Sequence, residues 1–155
     1  MHDLQTMVRN NHMINEPALQ KTCLIVDDSR IVRKVTRRII QSLGFKCIEA
    51  EDGAHALETC LKEMPDIIVI DWQMPNMTGI DFLKTMNTTH TSNMAKVIFC
   101  TTENDVRNIR EALKNGAAEY IMKPFDSDIM RSKMFFAGVI DTPWELQILT
   151  PTMKY

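Results

Sequence analysis

The run Ile67-Ile68-Val69-Ile70, followed at once by Asp71, constrains this chain more than any other stretch. Consecutive β-branched aliphatics leave no polar face, so the segment reads as a strand covered on both sides, as in the middle of a parallel sheet. Trp72-Gln73-Met74-Pro75 then breaks the run, and Asp71 is left at the carboxyl end of the strand. In open α/β sheets ligands bind at that edge, where loops and helix N-termini converge. A lone acid there is more often a turn former or a helix cap. Its meaning depends on what the other strands bring to the same edge.

The rest of the chain supplies those strands. Thr22 to Val26 is a short apolar strand ending in Asp27-Asp28-Ser29, and Ser29 can cap a helix carrying Val32, Val35, Ile39 and Leu43 until Gly44 stops it. Phe45 to Ala50 predicts a second strand. Asp52-Gly53 then turns into a helix over 54–62, and Pro65 closes that unit before Ile67. Gly79 opens a helix with Ile80, Leu83 and Met86, Lys96 to Cys100 predicts a fourth strand, and Val106, Ile109, Ala112 and Leu113 mark the next helix. Ala118 to Met122 reads as a fifth strand, Lys123-Pro124 as a break, and Asp126 to Val139 as the last helix. Five strands alternating with helices predict a doubly wound parallel α/β sheet with helices on both faces.

A chain of 155 residues, 45% hydrophobic and 25% charged, matches one compact domain. Residues 1–20 read as a flexible leader, 21–140 as the domain, and 141–155 as a tail too short for a second domain. That tail nevertheless holds Trp144, Leu146, Ile148 and Leu149, more apolar than a disordered end usually is, so packing on the domain or exchange with a neighbour are both open. The net charge of -2 gives no electrostatic case for DNA or an anionic membrane as main partner. No apolar run is long enough to span a bilayer and no signal peptide is evident, so the expected location is the cytoplasm. Cys23, Cys47, Cys60 and Cys100 form no C-x-x-C pair and read as reduced, buried hydrophobes.

In a parallel sheet all strand ends of one sense share an edge. Asp27 and Asp28, Asp71, Thr101 and Lys123 thereby become neighbours, each at the carboxyl end of its own strand. Two like charges about 4 Å apart repel by roughly 4 kcal/mol at an effective dielectric near 20, and one lysine cannot offset three carboxylates. A divalent cation can, and an acid-rich, all-oxygen site with open positions suits Mg²⁺, which keeps waters and accepts phosphate oxygens. With the metal, Lys123 and Thr101 around one Asp71 oxygen, the cluster is equipped to place a phosphoryl group on a carboxylate.

These residues resemble the receiver domain of two-component response regulators. The resemblance covers roughly Lys21 to Val139 and rests on Leu24-Ile25-Val26-Asp27-Asp28-Ser29, Asp71 with Met74-Pro75 and Gly79, Thr101, Tyr120, and Lys123-Pro124-Phe125. It implies a flavodoxin-like, CheY-like five-stranded fold, with Asp71 accepting a phosphoryl group from a histidine kinase or histidine phosphotransfer protein. It implies Mg²⁺ held by Asp28, Asp71 and the backbone carbonyl of Gln73, with Asp27 acting mainly through water. Thr101 and Tyr120 would be the switch pair, Lys123 would pair with the phosphoryl group, and the Lys123–Pro124 bond is expected to be cis. Gln73 and Glu103 would tune the lifetime of the acyl phosphate, and Thr102, larger than usual at its position, would restrict access to Asp71.

The resemblance also implies an output through a protein contact on the fourth helix, fifth strand and fifth helix. That segment carries Arg107, Arg110, Lys114, Arg131, Lys133, Phe135 and Phe136. The basic first helix, with Arg30, Arg33, Lys34, Arg37 and Arg38, would meet the phosphodonor. The expected molecule is a stand-alone regulator of two-component signalling, as in chemotaxis, with a downstream protein target. It would not be an enzyme beyond self-phosphorylation and autodephosphorylation. The alternatives are a phosphorelay intermediate or phosphate sink, and a Mg²⁺-dependent aspartyl-phosphate phosphatase of haloacid-dehalogenase type. The phosphatase needs a second acid two residues after the nucleophile, where Gln73 stands.

Overall fold

A computed structural model describes residues 20–89, 94–102 and 106–141. The expected leader and tail, apart from Gln20 and Asp141, lie outside the described residues. The strands are β1 (Thr22–Val26), β2 (Lys46–Ala50), β3 (Ile67–Asp71), β4 (Lys96–Thr101) and β5 (Glu119–Met122). The helices are α1 (Arg30–Ser42), α2 (Gly53–Lys62), α3 (Gly79–Thr89), α4 (Val106–Lys114) and α5 (Ser127–Phe136). All strands pair in parallel in the order β2-β1-β3-β4-β5.

Alternation along β3 divides the core. Ile68 and Ile70 face one apolar layer with Ala56 and Cys60 of α2, Phe82, Leu83 and Met86 of α3, and Ala112 of α4. Ile67 and Val69 face the other, with Ile40 of α1 and Met130 and Met134 of α5. Successive strand residues point to opposite faces, so a run with no polar member must be covered twice. The four cysteines are free and buried, and burial pushes the Cys60 thiol up to about 11, which keeps it protonated and inert.

Helix starts follow the local chemistry. Ser29, Asp52 and Asp126 each accept a bond from a backbone N–H of the first turn, those of Val32, His55 and Ile129. Boundaries shift slightly from the sequence reading. Thr101 is the last residue of β4 rather than the first of a loop, and α5 stops at Phe136 because Gly138 takes a φ of 77°.

Candidate phosphoacceptor site

Register carries the acids together. Val26 of β1 is paired with Ile70 of β3, so Asp27 follows β1 at the level where Asp71 ends its strand. Carboxylate oxygens of Asp27, Asp28 and Asp71 lie within 4.8 Å of one another. Their environments differ: Asp27 is buried, Asp71 half-buried and Asp28 exposed. The Lys123 ammonium, on the loop after β5, lies 2.7 Å from Asp27 Oδ2 and 3.2 Å from Asp71 Oδ2.

Each group is held by its neighbours. Asp27 Oδ1 accepts from the Ser29 amide at 2.8 Å, and the Asp27 carbonyl accepts from Arg33 Nη1 at 2.7 Å, which ties the start of α1 to the β1 end. Asp71 Oδ1 accepts from the Gln73 amide at 3.3 Å. Lys123 is positioned by its own amide, which donates to the Thr101 carbonyl at 2.8 Å, and the Lys123–Pro124 peptide bond is cis. Burial raises the Asp71 pKa, with Asp27 adding to it, and Lys123 only partly opposes the rise. For Lys123 burial works against the charged form, yet its bonds to Asp27 and Asp71 win and its pKa is raised.

Thr101 is buried and shares the sheet face of Val97 and Phe99 by alternation, the face against which Tyr120 also packs. Lys133 bonds to Glu119 at 2.8 Å and stands 4.6 Å over the Tyr120 ring. Gln73 is exposed on the loop after Asp71; Glu103 lies outside the described residues. Asp27, Asp28, Asp71, Lys123 and Thr101 thus share one edge, with Gln73 at its rim and Tyr120 behind it.

Three supports were not read from the sequence: the Ser29 amide on Asp27, the Arg33 clamp, and the reason for Gly79. A Cβ on Gly79 would sit 2.6 Å from the Asp71 carbonyl oxygen and 2.7 Å from the Phe99 ring. Its amide also donates to the Trp72 carbonyl at 2.9 Å. A glycine eight residues past a strand-end acid was visible, but the approach that demands it is tertiary.

The donor set is all oxygen and acid-rich, with one member open to solvent, and this chemistry fits a hard divalent cation such as Mg²⁺. Among the described residues no helix is long and apolar enough to cross a membrane.

Residues 23–135 match the family model for the response regulator receiver domain. The chain is 35% identical over 112 residues to the chemotaxis protein CheY of Pseudomonas aeruginosa, spanning 72% of this chain and 90% of that one. It is 37% identical over 112 residues to chemotaxis protein CheY-3 of Vibrio cholerae, spanning 72% and 86%. Its fold is similar to the solved structure of chemotaxis response regulator CheY4 of Vibrio cholerae, with a TM-score of 0.70, 28% identity, and coverage of 76% of this chain and 98% of that one.

Proposed function

This chain belongs to the response regulator receiver family, and from that premise we propose that Asp71 accepts a phosphoryl group from a phosphohistidine donor and thereby switches a protein-binding face. The observation that carries the reading is the cluster of Asp27, Asp28 and Asp71 with Lys123 bridging Asp27 and Asp71. In the step proposed, an Asp71 oxygen attacks phosphorus, an O–P bond forms as the donor's N–P bond breaks, and the departing imidazole keeps the bond's electron pair. Asp28, Asp71 and the Gln73 carbonyl would hold Mg²⁺, with Asp27 acting through water, and the cation would supply positive charge to offset that of the transferring group. Lys123 turns from the carboxylates to a phosphoryl oxygen, adding fixed positive charge where negative charge develops.

Thr101 donates its hydroxyl to another phosphoryl oxygen, and the Tyr120 ring moves into the space the hydroxyl vacates. Gln73 and Glu103 set how quickly water attacks phosphorus and returns the free carboxylate and phosphate. The product is a signalling state rather than a released metabolite, so the chain is not a turnover enzyme. Its donor is a histidine kinase or histidine phosphotransfer protein of the cytoplasm, and its similarity to chemotaxis proteins supports an output in chemotaxis-type signalling. The readout face is α4, β5 and α5, where Arg107 and Arg110 are exposed and Phe136 is 70% exposed. Lys133 is engaged with Glu119 and Tyr120, which couples this face to the switch residue.

Incubation with acetyl phosphate and Mg²⁺, followed by intact-mass spectrometry and peptide mapping, should find one phosphoryl group on Asp71. Asp71→Asn should take none. Labelling that persists in Asp71→Asn, or fails in the wild type with Mg²⁺ present, would sink the reading.

A further inference from the structure

Two residues of β2 hold the backbone of Asp27, one directly and one by way of α1. The Asp27 amide donates to the Ala50 carbonyl at 3.2 Å. The Asp27 carbonyl accepts from Arg33 Nη1 at 2.7 Å, and the same guanidinium donates from Nε to Glu49 Oε1 at 3.3 Å. The other Glu49 oxygen, Oε2, accepts from Arg37 Nε at 2.9 Å. Residues four apart share a helix face, so one β2 carboxylate anchors both arginines. The Arg33 side chain is 14% exposed, which leaves water little room to replace its bonds.

We propose that Glu49 and Arg33 form a positioning clamp on the acidic site, and that the clamp raises the site's preference for Mg²⁺ relative to Ca²⁺. A peptide unit is planar, so a bond that fixes the Asp27 carbonyl also fixes the Asp28 amide and the direction in which the chain delivers the Asp28 Cα. Asp27 has Lys123 and the Ser29 amide on its own carboxylate, and Asp71 has Lys123 and the Gln73 amide. Asp28 is the exposed member of the three, and its place follows from the peptide before it. Mg²⁺ demands near-ideal octahedral geometry, whereas Ca²⁺ accepts a looser set of oxygens at longer range. A peptide left free to rock therefore costs Mg²⁺ more than Ca²⁺.

Arginine suits this post. Its planar fork serves a carbonyl and a carboxylate at once, and lysine carries the same charge as a single ammonium on a flexible stem, without the fork. Charge alone predicts the opposite effect. Arg33 is a cation near an acidic cluster, so its field opposes the binding of a second cation, and removing it would tighten that binding. The clamp makes binding depend on Arg33 instead. The inference rests on the reading of Asp27, Asp28 and Asp71 as a cation site, and it adds Glu49 and Arg33 as residues that act on that site through the backbone.

Differential scanning calorimetry of the full chain across separate Mg²⁺ and Ca²⁺ series tests the clamp with no phosphodonor present, because the rise of melting temperature with concentration gives each dissociation constant. Arg33→Lys keeps the charge and loses the fork. Its dissociation constant for Mg²⁺ should rise about tenfold, the scale of losing a group that orients a metal ligand, and that for Ca²⁺ no more than about twofold. Arg33→Gln, which removes the cation as well, should still weaken Mg²⁺ binding, where the field alone would tighten it. Glu49→Gln, at a side chain 31% exposed, should repeat the larger loss for Mg²⁺ and keeps the test open if the Arg33 variants fold poorly. Equal weakening toward both cations, unchanged dissociation constants, or tighter Mg²⁺ binding in Arg33→Gln would overturn the clamp and leave the cation site standing. A wild type whose melting temperature responds to neither cation would overturn the reading of the site, and the clamp with it.

Discussion

Lys123 and Asp71 respond oppositely to removal: burial opposes both charges, but at Lys123 the two carboxylates outweigh it, whereas at Asp71 burial and Asp27 outweigh Lys123. Asp27, with its side chain 6% exposed, depends on the 2.7 Å bond from Lys123. Lys123→Ala leaves that carboxylate without its cation and should cost about 2 kcal/mol of stability in Mg²⁺-free buffer, read by urea denaturation. Asp71 is the reverse case. Its folded pKa is raised, first by burial and then by Asp27, so the ionised form works against the fold. That penalty is fully present at pH above the raised folded pKa and vanishes below the ordinary carboxylate value. Asp71→Asn should therefore melt a few degrees higher than the wild type at neutral pH without Mg²⁺. The two melting curves should converge as pH falls toward the ordinary carboxylate range, and a variant less stable at neutral pH would contradict the cause assigned to the shift.

At the scale of elements, the turn from β3 into α3 carries the tightest steric demand. Gly79→Ala would place a methyl 2.6 Å from the Asp71 carbonyl oxygen, which is backbone and has little freedom to withdraw. The substitution should destabilise the fold by about 2 kcal/mol, as overpacking does. It should also slow labelling by acetyl phosphate more than Lys62→Ala on the exposed end of α2 does. The demand illustrates what the sequence could and could not disclose. Ile67 to Ile70 announces a doubly covered strand because its pattern admits one solution, and the strand ends alone put Asp27, Asp71, Thr101 and Lys123 on one edge. The Ser29 amide on Asp27 and the Arg33 bond to the Asp27 carbonyl depend on side-chain and loop directions that no periodicity encodes. The α1 basic stripe divides for the same reason: Arg33 and Arg37 pair with Glu49 of β2, while Arg30, Lys34 and Arg38 face solvent.

For the whole molecule, the acidic site couples cation binding to folding. Asp27 and Asp28 follow β1 and Asp71 ends β3, so only the assembled sheet brings their oxygens within 4.8 Å, and an unfolded chain offers separated weak ligands. A ligand that binds the folded state alone stabilises it by about 2.7 kcal/mol at a hundredfold excess over its dissociation constant. Mg²⁺ should accordingly raise the melting temperature of the wild type with a logarithmic dependence on concentration. The same cation relieves the carboxylate repulsion that makes Asp71→Asn the more stable chain in its absence. Raising Mg²⁺ should therefore close the gap between the two proteins and then reverse it, because the variant keeps only part of the donor set. Differential scanning calorimetry across a Mg²⁺ series reads both slopes. Parallel slopes would show that Asp71 lies outside the cation site, and flat slopes for both would show that the acids repel one another with no cation to hold.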